Sequence, residues 1–259
     1  VVFVYRIALL IDNWSTYRQV LFMALAWKRV ILKLSGEALQ GKQTHGLDQD
    51  TLHRIAADVA EAASLGAEIG IVVGGGNFFR GIQGADKGID RARADSIGML
   101  ATIMNGLAVE HAIETLGQPA RALSAVPVPY VCQPYSRQAA LNHLGKGRVI
   151  VLAGGTGNPF FTTDTGAALR AAELSANLVM KATQVDGVYS ADPKKDPNAV
   201  RYDTLTHGEA IEKNLGVMDT AAFALARENA IPIIVFSLSG DRPITRALKG
   251  EGNFTLVTP

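Results

Sequence analysis

From residue 30 onward, short apolar runs alternate with longer stretches whose apolar positions recur every three or four residues. That alternation is the mark of strand–helix units, whose parallel strands are covered on both faces and so read as near-continuous Val, Ile and Leu. Residues 30–34 and 69–73 read as the first two strands. Between them Leu52, Ile55, Ala56, Val59, Ala60 and Ala63 fall at helical spacing, with Asp48 or Asp50 able to cap the helix and Gly66 able to end it. A long helix is predicted over 91–116, stopped by Gly117 and Pro119. Further strands are predicted at 120–123, 149–153, 178–181 and 233–236, with 254–257 as a final edge strand. Helices are predicted at 136–144, 164–174 and 219–229. Residues 190–198 are polar, carry Pro193 and Pro197, and read as a surface loop. No repeat or linker divides this pattern, so residues 29–259 are expected to form a single α/β domain with a mostly parallel sheet.

Residues 1–28 stand apart from it. The apolar run at 20–27 is far shorter than the roughly 20 residues that cross a bilayer. Ala24-Leu25-Ala26 after Arg18 imitates a signal peptidase site, but the apolar core before it is too short and overlaps the cleavage position. Asp12, Asn13 and Trp14 interrupt the earlier apolar stretch. The expectation is no secretion and no membrane, with 1–28 an extension that need not belong to the native fold. One reading has translation start at Met23, and the mass of the native protein would test it.

Composition narrows the chemistry. Among 259 residues, 25 Lys and Arg stand against 24 Asp and Glu, so no overall field attracts nucleic acid or an anionic surface. Any anion site must be built locally, and direct nucleic-acid binding is not expected. Cys132 is the only cysteine, which excludes an intrachain disulfide and fits a reducing, cytoplasmic setting. The five histidines show no metal-ligand spacing, and no Ser/His/Asp arrangement is visible.

The local candidates are glycine clusters where strands end. They are Lys33-Leu34-Ser35-Gly36, Gly74-Gly75-Gly76-Asn77 and Gly154-Gly155-Thr156-Gly157-Asn158. In open α/β sheets ligands bind beyond the carboxyl ends of the strands, and glycine lets backbone N–H groups approach an anion. A single such turn is weak evidence; three, one beginning with a lysine, point to phosphate. Two decoys fail. Gly36-Glu37-Ala38-Leu39-Gln40-Gly41-Lys42 begins like a Walker A loop, but Gln43 lacks the hydroxyl that would ligate Mg²⁺. Gly74-Gly75-Gly76-Asn77-Phe78-Phe79 lacks the third glycine of a dinucleotide fingerprint.

These clusters extend into longer blocks: Lys33 to Leu39, Gly74 to Gly81, Gly98-Met99-Leu100-Ala101-Thr102, and Gly155 to Asp164. Lys181-Ala182-Thr183, Asp186-Gly187-Val188-Tyr189 and Ala191-Asp192-Pro193 follow in order. Over 27–259 the chain resembles the bacterial UMP kinases of the amino-acid kinase family. The resemblance implies a three-layer αβα fold of the carbamate kinase-like kind, unrelated to P-loop kinases. It also implies transfer of the γ-phosphate of ATP to UMP in pyrimidine nucleotide biosynthesis, with Mg²⁺. A homohexamer, activation by GTP and inhibition by UTP are implied too.

Residue roles follow from the same resemblance. Lys33, Asp164 and Asp219 are the catalytic candidates, Lys33 as a cation aimed at ATP and Asp164 as the group that orients cations. Both aspartates also stand where helices begin, so capping is the plainer use of each. The ATP side takes Lys33, Leu34, Ser35, Gly36, Gly76, Arg80, Thr183, Tyr189 and Asp192. Arginine's planar fork suits phosphate, and tyrosine and aspartate suit adenine and ribose. The UMP side takes Gly75, Asp95 and the run Thr156, Gly157, Asn158, Pro159, Phe160, Phe161, Thr162 and Thr163. Gly41, Lys42, Gln43, Thr44, His45 and Gly46 correspond to the segment associated with GTP. A general base is not required, because a phosphate acceptor with a second pKa near 6 is already largely dianionic at neutral pH. Two rival functions share parts of this pattern: a family member with a carboxylate or carbamate acceptor, and a non-catalytic nucleotide sensor.

Overall fold

The computed structural model of the chain describes residues 25–79 and 88–259. In chain order the first half contains β1 (Arg29–Leu34), α1 (Gly36–Leu39), α2 (Gln49–Ser64), β2 (Glu68–Val73), α3 (Arg91–Thr115), β3 (Ala120–Ser124), β4 (Gln133–Pro134), α4 (Arg137–Gly145) and β5 (Val149–Ala153). The second half adds α5 (Thr163–Glu173), β6 (Leu178–Thr183), β7 (Val188–Tyr189), β8 (Arg201–Tyr202), β9 (Thr204–Thr206), α6 (His207–Glu212), α7 (Thr220–Glu228), β10 (Ile233–Ser237), α8 (Pro243–Leu248) and β11 (Phe254–Thr258). Among the described residues nine strands form one sheet, in the order β4-β3-β5-β2-β1-β6-β10-β11-β9. Every pair is parallel except β10 with β11. β7 and β8 make a separate antiparallel ribbon.

Strand parity sets the layers. Val30, Leu32 and Leu34 of β1 face a core completed by Val59 of α2, Ile113 of α3 and Leu248 of α8. Ile31 faces the opposite core, with Leu144 of α4, Ala168 of α5 and Phe223 of α7. A side chain such as Leu32 or Met180, fully buried, contributes about 2 kcal/mol by leaving water. The same parity runs through β6, where Met180 faces the first core and Val179 the second. Residues 33 and 181 therefore point toward the α5 side, and strand register pairs them directly.

Caps explain where the helices start. Asp48, not Asp50, caps α2 by accepting the Thr51 N–H at 2.8 Å. Thr162 caps α5, which moves Asp164 into the first turn and leaves its carboxylate for other partners. Asp219 caps α7, accepting from Ala222 N at 2.9 Å. The sequence expectation of an edge strand at 254–257 is corrected: β11 lies inside the sheet, because the short β9 pairs along its outer side. Of the N-terminal extension, Leu25 and Trp27 pack against the core, and Ala26 N–H donates to Leu248 O at 3.2 Å. Residues 1–24 and Arg80 lie outside the described residues.

Candidate active site

Strands β5, β2, β1 and β6 are neighbours and parallel, so their carboxyl ends share one edge of the sheet. The three glycine corners follow β1, β2 and β5 along that edge. They touch. A Cβ on Gly36 would meet Asn77 Oδ1 at 2.5 Å and the Gly76 nitrogen at 2.6 Å, so the first two corners interlock only because residue 36 is glycine. On Gly75 it would meet the Gly98 carbonyl at 2.7 Å and Ala101 Cβ at 2.9 Å, fixing the second corner against α3. The third corner is tied to α3 as well, Gly154 N–H donating to Thr102 Oγ1 at 2.7 Å. Gly76 is different: a Cβ there would find only ordinary contacts with Glu37.

At the centre of this edge stands a group of three charges. Lys33 Nζ lies 2.8 Å from Asp164 Oδ1, an ion pair rather than an aligned hydrogen bond, and Lys181 Nζ donates to Asp164 Oδ2. All three side chains are nearly buried. Burial alone would raise the Asp164 pKa, but the two ammonium groups outweigh it and hold the carboxyl below its ordinary range. Burial, with Lys33 adding to it and Asp164 opposing, pushes Lys181 below the usual lysine value. With two cations and one anion the group carries a surplus positive charge in a poorly solvated place. Such a group attracts phosphate.

Two cavities flank it. The larger, about 580 Å³, is lined by Lys181, Thr183, Tyr189, Asp192, Lys213 and Leu215 among others. Thr183 donates to Val185 O at 2.6 Å, closing a turn at the end of β6. Tyr189 OH donates to Asp186 Oδ1 at 2.6 Å, a bond that raises the phenol pKa and lowers that of the carboxyl. The smaller cavity, about 120 Å³, is lined by Gly75, Asp95, Thr156, Asn158, Phe161 and Thr163 among others. Asp95 Oδ2 accepts from Arg91 Nε at 2.9 Å and from the Phe160 N–H at 2.8 Å, so α3 and the loop after β5 close on each other. Phe160 has φ 72°, a left-handed conformation costly for a non-glycine residue and held here by that bond. Lys181 borders the larger cavity, and Thr163, next to Asp164, borders the smaller. The charged group therefore stands between the two linings.

The remaining sequence candidates sort by position. Leu34 is fully buried in the core, and its carbonyl accepts from Gly74 N at 2.8 Å. Ser35 caps α1. Gly157 stands at φ 83° against Ala125, and Pro159, Phe160 and Thr162 fall outside the lining of the smaller cavity. Asp219 does not open into either cavity: Thr162 Oγ1 donates to its Oδ2, and Thr165 Oγ1 and Ala222 N donate to its Oδ1 at 2.8 and 2.9 Å. It braces the start of α5, and through it Asp164. Gly41 to Gly46 form an exposed loop joined to the second corner, Gly46 exchanging bonds of 3.0 and 2.8 Å with Asn77. Lys181, Thr102 and the Lys213 to Val217 segment were not among the sequence candidates. For Lys181 the sequence offered only a lysine at the end of an apolar strand; its pairing with Lys33 comes from the strand register.

Known proteins share this fold and much of this sequence. The profile of the Amino acid kinase family matches residues 28–237. A uridylate kinase of Azorhizobium caulinodans is 57% identical over 235 residues, covering 91% of this chain and 99% of that protein. One of Rhizobium meliloti is 56% identical over 232 residues, covering 90% and 97%. The crystal structure of UMP kinase from Ureaplasma parvum superposes with a TM-score of 0.86 at 35% identity, over 90% of this chain and 99% of that one. That of UMP kinase from Bacillus anthracis gives 0.86 at 37% identity, over 90% and 96%.

Proposed function

The chain belongs to the amino acid kinase family, and from that premise we propose that it is a uridylate kinase, moving the γ-phosphoryl group of ATP onto the phosphate of UMP. The observation that carries this reading is the Lys33–Asp164–Lys181 group between two cavities of unequal size. ATP takes the larger cavity, its adenosine against Tyr189, Asp192 and Thr183, its phosphates toward Lys181, Lys33 and the Gly36 corner. UMP takes the smaller, with Asp95 accepting from ribose hydroxyls and Gly75, Thr156 and Asn158 around the rest. Transfer spreads negative charge over the three oxygens of the moving phosphoryl group, and the two lysines neutralise it. Asp164 holds both ammonium groups on line; Asp219 acts through Thr162 and Thr165 to hold Asp164. No protein base is assigned, since the acceptor arrives ionised.

Mg²⁺ is assigned to the nucleotide. Among the described residues no three His, Cys, Asp or Glu side chains gather as a metal cage, and Asp164 already faces two cations. The ion would be held chiefly by phosphate oxygens and water, neutralising the donor phosphates. We also infer that the chain forms the homohexamer the family resemblance implies, supported by Leu100 and Met104, which stand half exposed one turn apart on α3. GTP activation is assigned to the Gly41 to Gly46 loop, whose bonds to Asn77 reach the second corner, and UTP is assigned as inhibitor.

The test is ADP release measured over a panel of acceptors. The expected result is turnover that requires UMP and Mg²⁺, rises with GTP and falls with UTP. Appreciable turnover with glutamate derivatives or carbamate, and none with UMP, would defeat the substrate assignment.

A further inference from the structure

The corner after β5 is braced from behind by Arg170, a side chain with no part in the roles above. It sits on α5 and is 5% exposed. Its Nη1 donates to Glu173 Oε2 at 2.7 Å, and its Nη2 donates to the Gly155 carbonyl at 3.2 Å. Its guanidinium carbon stacks 3.9 Å from the centre of the Tyr135 ring. The Tyr135 hydroxyl donates to the same Glu173 oxygen at 2.5 Å. Burial, then the bond to Glu173, push the Tyr135 phenol above its ordinary value, so it stays a donor at neutral pH. Both terminal nitrogens and one face of the guanidinium are thus occupied, and one arm of the fork reaches a residue that lines the smaller cavity.

That arm has a geometric consequence. The peptide between Gly155 and Thr156 is planar and trans, so its N–H points opposite to its carbonyl. Arg170 holds the carbonyl on the protein side. The Thr156 N–H therefore points away from Arg170, and among the described residues it has no protein acceptor. Gly155 lies at φ 58°, a conformation with several alternatives for glycine, so an external tether is what selects this one.

We propose that Arg170 is a positioning residue for the acceptor nucleotide: by holding the Gly155 carbonyl it aims the Thr156 N–H into the smaller cavity, while Glu173 and Tyr135 fix its fork. The inference rests on the assignment of that cavity to UMP. Lysine cannot replace the arginine here, because a single ammonium cannot bond Glu173, bond Gly155 and stack on Tyr135 together.

The test compares wild type, Arg170→Lys and Tyr135→Phe by calorimetric titration with UMP alone and by KM for UMP and for ATP. Arg170→Lys is expected to raise the UMP Kd and the KM for UMP about tenfold, with the ATP KM shifted less than about twofold. Tyr135→Phe keeps the stack and loses one brace, and a rise of about threefold in the same UMP constants is expected. A purely structural role would move both nucleotides together, and that result overturns the proposal. So does an unchanged UMP Kd in folded Arg170→Lys or, should that variant not fold, in Tyr135→Phe. Wild-type protein that fails to bind UMP would instead sink the substrate assignment beneath it.

Discussion

His207 shows how far burial alone dictates a residue's chemistry. It is fully buried at the start of α6, its Nε2–H donating to Ile231 O at 2.9 Å while Nδ1 has no hydrogen-bond partner. Burial lowers its pKa, against a smaller opposing effect of the Ile231 carbonyl. The unfolded chain takes up a proton near the ordinary value of about 6.5, whereas the folded chain resists it. Below that pH the unfolded state binds more protons, so stability falls on acidification, by up to about 1.4 kcal/mol per pH unit until the folded pKa is reached. A His207→Gln variant should lose stability less steeply between pH 6.5 and 5 than wild type in urea titrations. Parallel curves would contradict the assignment. The two lysines proposed to face the phosphates obey a related logic. Lys33 was legible because a lysine closes an apolar strand beside glycine; Lys181 was not, because its meaning comes from pairing with residue 33 across two strands far apart in sequence.

Among the elements, the connection between the exposed 41–46 loop and the glycine corners is a pair of buried asparagines. Asn77 and Asn105 bond each other at 2.7 and 3.0 Å, while Asn77 also donates to Gly46 O and Asn105 to Gly74 O, the latter at 2.6 Å. Loop, second corner and α3 therefore meet in one satisfied polar knot. Asn77→Ala would leave buried groups unpaired, and a loss of roughly 1–3 kcal/mol is expected in chemical denaturation. A loss within the scatter of surface substitutions would show that water replaces the knot. The sequence announced the elements on either side of this knot, since long apolar strands and capped helices carry their own periodicity. It did not announce the knot, because asparagine in a glycine-rich turn or a helix looks the same paired or solvated. The short pieces, β4, β7, β8, β9, α1, α6 and α8, were equally silent: two to six residues hold too little periodicity to register. β9 is the costly omission, since its pairing takes β11 off the sheet edge. Asp219 was legible as a helix start, which its bond from Ala222 N bears out, and its bonds from Thr162 and Thr165 make it a bracing carboxylate for α5.

For the whole molecule, α3 faces two ways. It buries Val109 and Ile113 against the sheet yet leaves Leu100 and Met104 half exposed. By length and composition it is apolar enough to cross a bilayer, but its contacts with β5, β3 and α2 make it a layer of the domain. The proposed hexamer, if it assembles through the exposed stripe, predicts that Leu100→Glu with Met104→Glu shifts sedimentation to smaller species than wild type. Unchanged sedimentation would place the interface elsewhere.

The assignment of chemistry to the site depends on the charged group between the two cavities. Its most direct test is transfer of label from γ-labelled ATP, followed in wild type and in Lys33→Ala with folding checked by circular dichroism. Label is expected on UDP with wild type, and Lys33→Ala, still folded, is expected to transfer it more than about tenfold more slowly. Label released only to water, or a Lys33→Ala rate near that of wild type, would contradict it.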